Sequence, residues 1–124
     1  DVYKRQYPSW LTMQATDYLR GDVAVKGGIT GCLKAAHLAE AFKMNYEIHH
    51  GGNSLNNVAN LHLTMAIHNC ELFEVLLPAG AQKYGLVDEP APDANGLVYA
   101  IEKPGLGAEI DFDLIEKNKV AVLS

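Results

Sequence analysis

Cysteine is scarce in this 124-residue chain, and basic charge is in deficit. Only Cys32 and Cys70 occur. They lie far apart, without the short spacing of metal ligands, so the expectation is two reduced, buried thiols in a cytoplasmic protein rather than a disulfide scaffold. Ten Lys and Arg stand against fifteen Asp and Glu, a net charge of −5. That balance argues against nucleic acid or an anionic membrane as partner, and neither is expected. No apolar run approaches the ~20 residues of a membrane-spanning helix, the first residues lack the apolar core of a secretory signal, and no low-complexity segment occurs. What is present is an apolar content of 48%, enough for a packed core, in a length of one domain or less.

A rhythm runs along the first two thirds. The β-branched run YLRGDVAV reads as a strand near 18–25. Gly27 and Gly28 permit a tight turn, Thr30 is a plausible helix N-cap, and Ile29, Leu33, Ala36, Ala39 and Phe42 then fall at helical spacing. MNYEIHH is a second strand, near 44–49. GGNSLNN is a loop with Ser54 or Asn56 as possible caps, and VANLHLTMAIH is a second helix with Val58, Leu61, Met65 and Ile67 inward. CELFEVLL is a third strand, near 70–76. The order β-α-β-α-β predicts an α/β fold with a parallel sheet and helical crossovers. After Pro78 the chain is turn-rich. Asn95-Gly96 is a hairpin signal, LVYAIE a candidate strand, and the remainder an extended segment with one short helical turn.

Asp22, His49 and Glu74 each stand near the end of an expected strand, 27 and 25 residues apart. A (β/α)8 barrel spends about 30 residues per unit and builds its active site from such strand ends. An Asp beside a His is a chemically sensible pair, because the carboxylate fixes the imidazole tautomer and stabilises its protonated form. A Glu on the next strand could add a third hydrogen bond. Spacing alone leaves open that all three are surface polar residues where loops begin.

The ordered set Asp22, Gly27-Gly28-Ile29-Thr30, an Ala/Leu-rich helix, a strand ending in His49, and Glu74 in LFEV resembles the C-terminal part of the enolase superfamily. More closely, it resembles the mandelate racemase-like subgroup (the mandelate racemase/muconate lactonizing enzyme family). YGL and PGLGAEIDFD look like that family's closing segment, so the resemblance covers roughly 12–120. Related lactonising and epimerase branches carry Lys where this chain has Asp22. The resemblance implies about strands 6–8 of a TIM-like (β/α)7β barrel, incomplete here. Residues 7–78 would be the last three βα units and 79–124 the closing segment.

The resemblance also implies a mechanism. The family binds a hydroxy-carboxylate on Mg²⁺ and removes the proton beside the carboxylate, and the metal stabilises the enediolate. His49 would be the base, Asp22 its orienting partner, and Glu74 a hydrogen-bonding partner for a substrate oxygen. A dehydratase would have His49 protonate a leaving β-hydroxyl; a racemase or epimerase would use it on one face only. A sugar acid and dehydration are expected, partly from the polar 50–57 loop. The implied metal ligands lie upstream, so no metal ligand is expected in this chain, which alone should be inactive and marginally stable with two unpaired sheet edges. A non-catalytic piece is therefore the contrasting reading. The complete protein is expected to be a homo-oligomer.

Further residues complete the candidate site. His50, the rival base, and Asn53 in the loop could contact substrate, as could Lys26 beside the paired glycines. KGGITG lacks the lysine and spacing of a P-loop. His37, His62 and His68 are expected on helices, outside any zinc arrangement. Arg20 and Glu47 share the strand face of Asp22 and His49 one layer below, which predicts that they pair inside the barrel and set the dyad's electrostatics. The opening DVYKRQ falls outside the resemblance and can be encoded by a transposon-end adapter sequence. Residues 1–6 are thus expected to be a non-native leader.

Overall fold

A computed structural model describes residues 2–49, 54–78, 80–81 and 83–122, with backbone only for 2–5 and 54. The elements are α1 (Val2–Thr12), β1 (Tyr18–Gly21), α2 (Gly28–Ala41), β2 (Asn45–Ile48), α3 (Ser54–Ala66) and α4 (Phe112–Asn118). β1 and β2 pair in parallel, with Leu19 opposite Tyr46, Arg20 opposite Glu47 and Gly21 opposite Ile48. Alternation does the sorting. Leu19, Gly21, Tyr46 and Ile48 are buried toward the helices, and Tyr18, Arg20, Asn45 and Glu47 face the other way.

Helix α2 lies on this sheet through small residues. Cys32, Ala35, Ala36 and Ala39 are buried, and their short side chains let the helix approach closely. Ala36 and Ala39 are buried as the helical spacing predicts, and Leu33 is half-buried against the same cluster. Ile29 and Phe42 bracket the helix and stay exposed, and so does Met65 on α3, whereas Val58, Leu61 and Ile67 are buried as expected. Tyr7 and Leu11, four apart on α1, complete the cluster. Tyr46 is fully buried, and a Cβ at Gly21 would stand 2.0 Å from its hydroxyl. The strand crossing at the site thus depends on a residue with no side chain.

The caps differ from expectation. Gly27 is the N-cap of α2, at φ 84°, and Gly28 follows at φ 79°. Both are left-handed and suited to glycine. Thr30 consequently lies inside the first turn. Asn56 is likewise inside α3, its side chain used elsewhere. Lys43 ends α2 at φ 56°, with Met44 N–H donating to Ala39 O.

The expected third strand does not form a ladder. Its neighbourhood begins correctly, since Tyr46 N–H donates to Asn69 O at 2.7 Å. Next, however, the Glu47 carboxylate accepts from the amides of Leu72 at 3.1 Å and Glu71 at 3.4 Å, and the ladder does not continue. The 97–102 strand is also not formed. Asn95-Gly96 does make a turn, held by Asp93, whose carboxylate accepts from the Asn95 and Leu97 amides. The closing segment folds on itself through a Leu86–Ile110 bridge and α4, capped by Asp111 accepting from Leu114 N–H. His62 ties it to α3 by a 2.9 Å hydrogen bond with Leu106 O. His68 lies two residues beyond α3 rather than on it.

Candidate active site

The loop after β1 is folded around Asp22. Val25 and Lys26 N–H groups both donate to the Asp22 carbonyl, and the Ala24 N–H donates to its side chain. This compact turn points a buried carboxylate toward the end of the sheet. His49 sits one residue past β2, where its own N–H donates to Gly21 O at 3.0 Å and extends the ladder. The result brings His49 Nδ1 to 3.6 Å from Asp22 Oδ2. The imidazole is half-exposed and the carboxylate is buried. Asp22 and His49, which the family resemblance pairs, thus stand side by side at the ends of two adjacent parallel strands. The distance is slightly longer than a hydrogen bond.

The two oxygens of Asp22 have different company. Oδ1 accepts from Asn56 Nδ2 at 2.7 Å, Ala24 N at 2.9 Å and Asn60 Nδ2 at 3.4 Å. Oδ2 faces His49. Burial alone would raise the carboxyl pKa, but the donors from Asn56, Ala24 and Asn60, with His49 beside them, outweigh it and hold it below the usual carboxylate value. Asn60 is fully buried, and its Oδ1 accepts from Val23 N–H at 3.0 Å. Neither asparagine was singled out as a site residue from sequence. The available signal was Asn56 and Asn60 at i, i+4, with Asn60 set between the apolar residues Val58, Ala59 and Leu61.

Arg20 and Glu47 share the open face and stand in register, yet they do not pair. Glu47 is occupied by the Glu71 and Leu72 amides, the Asn45 side chain at 3.1 Å and the Cys70 thiol at 3.5 Å. Burial and the adjacent Glu47 push that thiol's pKa up. Arg20 instead reaches past β2: its Nη2 stands 2.9 Å from Glu74 Oε2 and donates to Ile48 O at 3.3 Å. Glu74 therefore faces the guanidinium, and with Arg20 and Glu47 it lines a cavity of about 490 Å³. Lys26, expected near substrate, has its ammonium over the Tyr7 ring, 5.6 Å from the centroid, drawn by the cation–π attraction toward α1. His50 and Asn53 lie outside the described residues. Neither cysteine forms a disulfide, and Cys32 is buried and Cys70 partly so. Among the described residues no helix is long and apolar enough to cross a membrane, and no three His, Cys, Asp or Glu side chains converge on a cation position.

Comparison with known proteins meets this geometry. The family described as enolase C-terminal domain-like matches residues 3–114, a span that takes in part of the opening hexapeptide. A D-galactonate dehydratase family member from Paenibacillus sp. (strain JDR-2) is 34% identical over 112 residues, covering 89% of this chain and 27% of the relative. A D-galactonate dehydratase of Xanthomonas oryzae is 31% identical, over 77% of this chain and 27% of its own length. The chain thus spans about a quarter of these curated relatives. Among solved structures, a Pseudovibrio sp. protein assigned to the mandelate racemase/muconate lactonizing enzymes superposes with TM-score 0.88 at 32% identity, over 94% of this chain and 31% of its own. A D-glucarate dehydratase from Agrobacterium tumefaciens, complexed with magnesium, gives 0.78 at 35% identity, over 95% and 31%. The chain belongs to the enolase superfamily, as part of an enolase C-terminal domain of the mandelate racemase-like kind.

Proposed function

We propose that this chain is the C-terminal portion of an acid-sugar dehydratase, corresponding to about strands 6–8 of a TIM-like barrel and the segment that closes it. Residues 7–78 supply the βα units and 79–124 the closing segment. The observation that carries the reading is the Asp22–His49 pair at the ends of two adjacent parallel strands. The names of the relatives, D-galactonate and D-glucarate dehydratases, point to the substrate class.

His49 is the acid–base group. With Nδ1 toward Asp22, Nε2 is left to take the proton beside the substrate carboxylate. The imidazolium so formed, balanced by Asp22, returns that proton to the β-hydroxyl, which leaves as water. The products are a 2-keto acid, after tautomerisation, and one water. One histidine serves both transfers, so no second base is required for elimination. Glu74 and Arg20 border the same open face, where a polar substrate would lie. An ionised Glu74 only accepts hydrogen bonds, so its contact would be to a substrate hydroxyl unless it carries a proton. Among the described residues no His, Cys, Asp and Glu side chains converge to hold a cation; a magnesium ion such as the Agrobacterium relative binds would be held by residues beyond this chain.

The test uses the complete protein with Mg²⁺ and a panel of sugar acids. Trapping a 2-keto acid with semicarbazide is the expected result. Deuterium entering Cα from D₂O without loss of water would replace dehydration with racemisation, and neither product from any sugar acid would remove the proposal.

A further inference from the structure

We infer that Asn56 and Asn60 are positioning residues for the dyad, holding one oxygen of Asp22 so that the other faces His49 Nδ1. A carboxylate has two equivalent oxygens and a soft terminal torsion, so a lone Asp could present either oxygen or turn away. Here the choice is made by donors. Asn56 Nδ2 at 2.7 Å, Ala24 N at 2.9 Å and Asn60 Nδ2 at 3.4 Å all converge on Oδ1, and Oδ2 is left for the imidazole.

The orientation of the Asn60 amide is itself fixed. Its oxygen accepts from Val23 N–H at 3.0 Å, so its nitrogen must be the end turned to Asp22. Asn60 therefore clamps both the loop backbone and the loop carboxylate. Being four apart, the two asparagines share one face of α3. Burying amides without partners is costly, and these are buried around a single oxygen. They are also neutral. A lysine or arginine in their place would hold Asp22 equally well but would cancel the negative charge that steadies an imidazolium. The arrangement fixes geometry and leaves the charge to act on His49.

The consequence for His49 is a defined tautomer, with the proton on Nδ1 and the Nε2 lone pair outward. This follows from the dyad geometry, and its catalytic meaning rests on the proposed function. The experiment separates the two. The complete protein is labelled with ¹⁵N-histidine, and two-bond ¹⁵N–¹H spectra are taken at about pH 9, where an ordinary imidazole is neutral. A His49→Gln variant assigns the signal. In the unmodified protein His49 should be predominantly Nδ1–H; a predominantly Nε2–H ring overturns the inference without any variant. Asn56→Leu should let the Nε2–H form appear, lower kcat about 10–100-fold and leave KM within about twofold. Asn60→Asp keeps the acceptor for Val23 but sets a second carboxylate against Asp22, and should do the same. Folded variants with unchanged tautomer and kcat refute the positioning role. If no sugar acid is turned over but His49 is Nδ1–H and responds to Asn56→Leu, the inference stands and the proposed function falls.

Discussion

Gly21→Ala tests how tightly the site is coupled to the sheet. The added methyl would stand 2.0 Å from the Tyr46 hydroxyl and 2.9 Å from its ring carbon. Ordinary Cβ contacts begin above 3 Å, so about 1 Å of movement is needed, and Tyr46 is fully buried in a packed cluster with little room to give. Overpacking of this kind costs about 1–3 kcal/mol. With a urea m-value of about 1–3 kcal/mol per M, the unfolding midpoint of the chain should fall by roughly 1 M, read by far-UV circular dichroism. A chain with few kcal/mol in hand would then be largely unfolded. The double variant Gly21→Ala/Tyr46→Leu removes the ring end that clashes. It should be less destabilised than the sum of its singles by on the order of 1 kcal/mol or more. If Gly21→Ala keeps the parent midpoint, or the two changes simply add, the steric argument fails.

Other consequences can be measured alongside. The Asp22 carboxyl is held below its unfolded value of about 3.9, so it stabilises the fold above that pH and the contribution is lost as pH falls through the folded value; Asp22→Asn should flatten the acid limb of stability against pH. Glu47→Ala should release the Glu71 and Leu72 amides, raising their hydrogen-exchange rates by about tenfold or more while Leu19 exchange stays close to that of the parent. Arg20→Gln removes a partly exposed ion pair with Glu74 and should cost no more than about 1 kcal/mol of stability, at most weakly salt-dependent. Lys43→Gly, at a left-handed helix end, should stabilise by about 0.5–1 kcal/mol in thermal unfolding.

The legible parts of the sequence were those governed by period and by order. The runs from Tyr18 and from Asn45, with the paired glycines and the helical spacing between them, located the two paired strands, although β1 ends at Gly21 because Asp22 to Lys26 form a turn, and the 27-residue step matches the placing of Asp22 beside His49. What could not be read was competition among polar partners. Arg20 and Glu47 are in register as alternation requires, but pairing depends on what else each can reach. Glu47 finds backbone amides and Arg20 finds Glu74. The same competition explains why CELFEVLL, strand-like by composition, is held by a side chain rather than a ladder. Asn56 resembled a cap because local sequence cannot show that Asp22, 34 residues earlier, lies beside it.

The asparagine clamp also bears on how such barrels can be recombined. A βα unit is commonly treated as an exchangeable module, cut at the loop between one helix and the next strand. Here the carboxylate supplied by one unit is aimed by the helix of the following unit. A chimera joined anywhere between residues 24 and 55 would pair this Asp22 with a foreign α3. It could keep both Asp22 and His49 and still lose the aim of one at the other. The natural seam for transplanting this chemistry therefore falls beyond Ala66, so that the inheritable block is two units long.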